Sequence, residues 1–336
     1  MNYKEAIYIT ADDNFVLRNY DAGNRPSEYH AKIKVKWIGI CGSDLHSIET
    51  KLLPELALGH EWIGEVTEVG SKVNSIKPGD FVTSTIQITC GYCRACIDKI
   101  EPCENQYSLA VNKGMIREVA FLPEKSLVKV PGPVSASSTL YEILAVAENV
   151  FLKTKDRLHE KDTILIMGAG LLGLSVGLVL NREGFNPIMV ETIPSRIKRA
   201  NDLGIKCLHL GDTLLDKSFN DSFSFIFDAT GDHLGGKGGW RYLEHFGKKN
   251  FKAIVLAKYL NNLDLKTHRL FSKQATLEWI QGCTEESLKL SIEKWQSALE
   301  ELAKTLISHI YDISEVNEAF LTAKNRKESA RVIIKI

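Results

Sequence analysis

Apolar and polar positions alternate with a period of two over Ala31 to Ile38 (AKIKVKWI), the pattern of a strand with one face buried. Similar short β-rich pieces recur at Glu65 to Val69, Phe81 to Thr85 and Glu118 to Leu122. Turn punctuation separates them, including Lys77-Pro78-Gly79-Asp80 and Pro131-Gly132-Pro133. The chain up to about residue 135 therefore predicts a twisted all-β or barrel-like domain. From about residue 145 strand-like runs alternate with helical stretches: Ile164 to Met167, Pro187 to Val190, Phe223 to Asp228 and Phe251 to Ala257. That alternation is βαβ grammar and predicts a parallel sheet.

Towards the end, Leu290, Ile292, Trp295, Leu299 and Leu302 follow helical spacing within Ser287 to Leu306. A second helix is expected over ISEVNEAFLTAK, from Ile313 to Lys324, and RVIIKI closes the chain as a strand outside the βαβ series. Thr163 to Asn181 is uncharged for 19 residues, near the length of a membrane span. Gly168, Gly170, Gly173 and Gly177 break that run into a strand, a tight turn and a helix. GDHLGGKGGW, Gly231 to Trp240, is expected to be a glycine-rich surface loop.

Composition adds exclusions. With 336 residues the chain has room for about two domains and a large core. Forty-two basic residues balance 42 acidic ones, so no long-range field gathers nucleic acid or anionic lipid, and a small-molecule ligand is the expectation. The opening residues MNYKEAIYITADD carry charges and no apolar run, so a secretory signal is not expected and the cytoplasm is the default compartment.

Four of the seven cysteines, Cys90, Cys93, Cys96 and Cys103, crowd into one loop. A redox pair or scattered buried thiols would not need four, whereas a closed, structural tetrahedral zinc site does. A second, dispersed set comprises Cys41, Asp44 and His46 in CGSDLH and His60 with Glu61 in the following Gly-His-Glu. A thiolate, an imidazole and a carboxylate make the mixed donor set of an open catalytic zinc. Taken alone, such a trio is more often a set of core residues than a metal site.

Gly59-His60-Glu61, followed at fixed intervals by Gly64, Gly70 and Val73, resembles the signature of the zinc-dependent medium-chain dehydrogenases. CGSDLH upstream, KPGDFV downstream and the four-cysteine loop fall in that family's order, although Cys96 and Cys103 are separated by six residues where seven are common. The resemblance implies an α/β chain with a GroES-like β-rich catalytic domain, residues 1–148 and 283–336, and a Rossmann doubly wound parallel-sheet domain, residues 149–282, meeting across a cleft. It implies Cys41 and His60 as catalytic zinc ligands and Glu61 as a carboxylate that enters or leaves the metal shell. Tyr141-Glu142-Ile143 stands where the polyol and sugar branch carries Glu-Pro, which makes Glu142 a further ligand or water holder. Ser43 is then the hydroxyl that takes the substrate proton, His46 its carrier, and Asp44 the partner of His60. Homodimers or homotetramers are usual in such a family.

Gly168-Ala169-Gly170-Leu171-Leu172-Gly173 follows a predicted strand, opens a helix, and is answered by Glu191, 18 residues beyond Gly173. This is the dinucleotide fingerprint in its proper context, with the acid on the adenosine ribose. The glycines, Leu172, Glu191, Arg196 and Thr230 are the expected cofactor residues. The carboxylate of Glu191 favours NAD over NADP, while Arg196 can pair with the extra phosphate of NADP. The expected activity is hydride transfer between the CH–OH of a polyol, sugar or related alcohol and NAD(P), assisted by one catalytic and one structural Zn2+. A threonine 3-dehydrogenase-like amino-alcohol enzyme would share every motif. A zinc-free reductase of the same superfamily has no use for Cys41, His60 and Glu61 together, and a nucleic-acid module lacks its basic patch. A non-catalytic, dinucleotide-sensing zinc scaffold is the reading from another class.

Overall fold

The computed structural model describes residues 2–23, 25–51, 53–98, 103–110, 113–231, 238–259, 262 and 265–336. The chain divides into two compact units, 1–145 with 283–336, and 146–282.

The first unit is built on a seven-stranded sheet whose path runs Leu127–Val130, Phe81–Ser84, Glu61–Val69, His30–Gly39, Arg331–Lys335 and Ile307–Asp312, with Val119–Pro123 also pairing to His30–Gly39. A three-stranded sheet of Asn14–Asp21, Asn2–Ile9 and Glu55–Leu56 accompanies it. Ala31, Ile33 and Val35 are buried from the central strand as its alternation requires, and a register shift between Val35 and Trp37 puts Ile38 in the interior as well. Its neighbours fix the site to come: Gly39 pairs with Glu61 on one side and with Ile333 on the other. The end of one strand and the starts of its two neighbours therefore meet at one end of the sheet's middle strands.

The second unit is a six-stranded, all-parallel sheet of β1 (Ile164–Met167), β2 (Ile188–Glu191), β3 (Cys207–His209), β4 (Phe223–Asp228), β5 (Gly247–Val255) and β6 (Thr276–Trp279). The strand order is 3-2-1-4-5-6, so the order reverses between β1 and β4. Both are buried along their whole length, as expected for a sheet covered on its two faces. The fold class is thus the one expected, a β-rich GroES-like unit with a Rossmann unit.

Several elements depart from the sequence reading. The helical run expected over Ser287 to Leu306 is two helices, Glu285–Trp295 and Leu299–Leu306. The second expected helix opens with a 3-10 turn, Ile313–Glu315, before Val316–Lys324. Of the glycine-rich stretch Gly231 to Trp240, positions 232–237 lie outside the described residues. Its far end is no surface loop, because Trp240 is buried in the core with Leu165, Phe246 and Phe251. No helix among the described residues is long and apolar enough to cross a membrane.

Candidate active site

Cys41 follows the central strand directly and caps the helix Gly42–Thr50. Asp44, in the helix's first turn, folds back: its Oδ2 accepts the Cys41 N–H at 2.9 Å and its Oδ1 accepts the Gly59 N–H at 3.3 Å. The same Oδ1 lies 3.5 Å from His60 Nδ1. One buried carboxylate thus fixes the backbone on both sides of the site and the face of the imidazole, leaving Nε2 turned towards Ser43 Oγ at 3.4 Å. His46, one helical turn from Gly42, is half-buried.

Ligand atoms of Cys41, His60 and Glu61 all lie within 4.8 Å of one another. The electrostatics suit a cation. Burial opposes ionisation of Cys41, yet the neighbouring His60 outweighs it and brings the thiol down to about 7. Burial would likewise hold His60 down, but the charges of Cys41 and Asp44 carry it well above the ordinary imidazole value. Without a metal, each group therefore favours the charged form of the other. A soft sulfur, a nitrogen and a carboxylate at this spacing fit zinc.

Arg331 was not expected. It opens the strand Arg331–Lys335, is fully buried, forms an ion pair with Glu61, and donates to the Ile40 carbonyl at 2.9 Å. Burial lowers its pKa to about 10. Its only signal in the sequence is a charge directly before the apolar run Val332 to Ile334 of the terminal strand. Glu142 stands outside the compact group. Burial pushes its carboxyl up to about 7, and its Oε1 accepts a hydrogen bond from Cys283 Sγ at 3.7 Å. Cys283, likewise unforeseen, is the residue at which the chain re-enters the first unit.

The four-cysteine loop converges as a tetrahedron would. Cys90 to Cys96, Cys93 to Cys103 and Cys103 to Cys90 are separated by 3.9, 3.8 and 3.6 Å between sulfurs. Zn–S bonds of about 2.3 Å at tetrahedral angles give S···S edges of about 3.8 Å. Backbone N–H groups of Cys90, Gly91 and Cys93 point at the sulfurs of Cys103, Cys96 and Cys90. Despite burial, such donors bring Cys90 down to about 6, while burial and Cys103 push Cys96 up to about 12. Four thiolates repel unless a cation sits among them. The shortened spacing before Cys103 leaves it inside the cluster.

In the second unit Gly168 adopts φ +93°, and a Cβ on Gly173 would stand 1.9 Å from the Gly168 carbonyl oxygen, so neither position tolerates a side chain. Gly170 caps the helix Leu171–Arg182, whose first N–H groups are the natural seat of a pyrophosphate. Glu191 Oε2 accepts the Ala169 N–H at 3.0 Å, and its Oε1 accepts the N–H groups of Thr192 and Ile193. Arg196 Nη1 is 3.8 Å from Glu191 Oε2. Thr230 packs its methyl against Gly168. Glycines, acid, arginine and threonine thus gather at the carboxyl ends of β1, β2 and β4.

The alcohol dehydrogenase GroES-like domain family matches residues 27–132. The chain is 28% identical to an uncharacterized zinc-type alcohol dehydrogenase-like protein of Escherichia coli K12, covering 93% of each. It is 27% identical to the sorbitol dehydrogenase of Halalkalibacterium halodurans, covering 92% of each. The chain is thus similar over most of its length to zinc-type alcohol dehydrogenases, and residues 27–132 match the GroES-like domain of alcohol dehydrogenases. Among solved structures, the NADH complex of a protein described as the short chain alcohol dehydrogenase RspB, from Escherichia coli CFT073, superposes on this chain with a TM-score of 0.84 at 23% identity, covering 100% of this chain and 99% of that one.

Proposed function

We propose that this dehydrogenase transfers a hydride between the CH–OH of a polyol, sugar or related alcohol and NAD(P), with NAD ahead of NADP. The observation that carries the reading is the grouping of Cys41, His60 and Glu61 around one point, braced by Asp44. Cys41, His60 and an acid from Glu61 or Glu142 hold a catalytic zinc, and Cys90, Cys93, Cys96 and Cys103 hold a structural one. The zinc supplies a Lewis acid that lowers the pKa of the substrate hydroxyl, and the nicotinamide supplies the hydride acceptor.

The chain's own residues do the rest. Ser43, beside His60 Nε2, accepts the hydroxyl proton and can donate in return, since a hydroxyl does both. His46 takes that proton outward as an imidazole whose ordinary pKa lies near neutrality. The electron pair of the breaking C–H bond leaves with the hydride, so the alcohol ends as a carbonyl and one proton is released. Asp44 keeps the imidazole oriented throughout. An acid at Glu142, as in the polyol and sugar branch the sequence resembles, supports a hydroxyl-rich substrate. Glu191 favours NAD by repelling a ribose phosphate, although Arg196 beside it tempers the preference.

The test is nicotinamide reduction across polyols, aldoses, simple alcohols and L-threonine, with each cofactor, on protein of measured zinc content. Turnover of a polyol or sugar, lost in Cys41→Ala together with one of about two zinc ions per chain, supports the reading. Turnover of L-threonine alone would redirect it to amino alcohols. Full turnover by Cys41→Ala would overturn the catalytic metal, and no turnover of any substrate would leave a dinucleotide-sensing scaffold.

A further inference from the structure

Three segments of the second unit converge on Asp228, the last residue of β4, whose side chain is fully buried. Its Oδ1 accepts the Thr230 N–H at 3.1 Å and the Thr230 hydroxyl at 2.6 Å. Its Oδ2 accepts the Tyr259 hydroxyl. With its hydrogen committed to Asp228, Thr230 Oγ1 accepts the Gly239 N–H at 2.5 Å and lies 3.1 Å from the Tyr259 oxygen. The Leu256 N–H donates to the Asp228 carbonyl at 2.9 Å. One carboxyl therefore ties together the end of β4, the segment after β5 and the far side of the glycine-rich stretch.

This knot adjoins the nucleotide fingerprint. Thr230 Cγ2 stands 3.1 Å from where a Cβ on Gly168 would lie, and Asp228 pairs with Met167, the last residue of β1. A dinucleotide bound across the strand-order reversal, with its adenosine ribose at Glu191 on the β2 side, extends its other half over β4. We infer that Asp228 and Tyr259 are positioning residues for the nicotinamide half of the dinucleotide, an inference resting on the cofactor reading above. They act through Thr230, whose hydroxyl hydrogen is spent on Asp228 and which therefore offers the ligand a fixed methyl wall. Removing the Tyr259 hydroxyl takes one donor from a fully buried carboxyl, and the wall loosens.

The experiment is calorimetric titration of the zinc-loaded full chain with NADH and, separately, with ADP-ribose, which lacks the nicotinamide. Tyr259→Phe is expected to weaken NADH about tenfold, as for one buried hydrogen bond, while ADP-ribose changes less than about twofold. Gly239→Ala presses on the same knot from the other side, its added methyl arriving 3.0 Å from Asp228 Oδ1 and 3.1 Å from Thr230 Oγ1, and should give the same selective loss. If Tyr259→Phe fails to fold by thermal unfolding, Gly239→Ala carries the test. Equal weakening of both ligands, or of neither, overturns the positioning role and leaves the cofactor reading standing. A parent protein that binds neither ligand overturns the cofactor reading and this inference with it.

Discussion

Asp44→Asn isolates what the buried carboxylate does at the candidate metal centre. The substitution keeps the shape and removes the negative charge 3.5 Å from His60 Nδ1. It also leaves one side-chain oxygen to serve two N–H donors, those of Cys41 and Gly59, while the new amide N–H group confronts whichever is left over. A buried donor without an acceptor costs about 1–3 kcal/mol, so urea unfolding of the metal-free protein should lose that much. The effect on the metal is separate. Weakening the partner of a ligating imidazole lowers metal affinity by about 10- to 100-fold, or about 1.4–2.7 kcal/mol. Competition with a chromophoric chelator resolves the two zinc classes, and the four-cysteine site serves as the internal control. A Cys41–His60 site that keeps its zinc affinity within about twofold, even with reduced stability, would reduce Asp44 to a backbone brace and refute the argument that it tunes the imidazole.

Three further outcomes are expected. His60 is held well above its ordinary value and the Cys41 thiol is brought down to about 7, so zinc binding is expected to displace protons. Apparent affinity should therefore fall as pH drops through 7, with about one proton or more released per zinc in calorimetry across buffers of different ionisation enthalpy. Arg331→Leu strands Glu61 and should cost about 3–5 kcal/mol in the metal-free protein. Zinc offers Glu61 another cation, so adding it should stabilise this variant more than the parent in urea unfolding. Gly173→Ala sets a methyl against the Gly168 carbonyl, and nucleotide binding followed by fluorescence should be lost while both zinc ions remain.

Elements with a strong local period were legible in the sequence. The strands Ile164–Met167 and Phe223–Asp228 lie where continuous apolar runs placed them, because a strand buried on both faces needs no help from its partners to be recognised. Thr276–Trp279 was missed: it is an edge strand with Thr276 and Trp279 exposed, and only pairing to β5 makes it extended. Cys207–His209 is three residues long, too short to carry a period. Ile307–Asp312 alternates between half-buried and exposed positions, so its contrast is weak and the helical run before it hides its start. The break between Glu285–Trp295 and Leu299–Leu306 keeps the apolar spacing nearly in phase, so periodicity alone reads one helix.

The site divides along the same line. Cys41, Asp44, His60 and the four clustered cysteines sit in short motifs whose spacing already implies their chemistry, since a helix start and a strand start fix each donor relative to its neighbours. Arg331, Cys283 and Tyr259 reach their partners across 270, 141 and 31 positions of sequence, and nothing local to any of them demands the contact. These distant partners set the charge and freedom of the motif residues. Arg331 competes with a metal for Glu61, and Cys283 engages the oxygen through which Glu142 would bind one. On the proposed zinc reading, these residues outside the motifs would decide which acid serves the metal. A chelator-competition series on Glu61→Gln and Glu142→Gln, each with and without its distant partner, would separate the two: the acid whose loss weakens zinc only when its partner is present is the one that partner holds in place, and the acid whose loss weakens zinc in both backgrounds is the ligand.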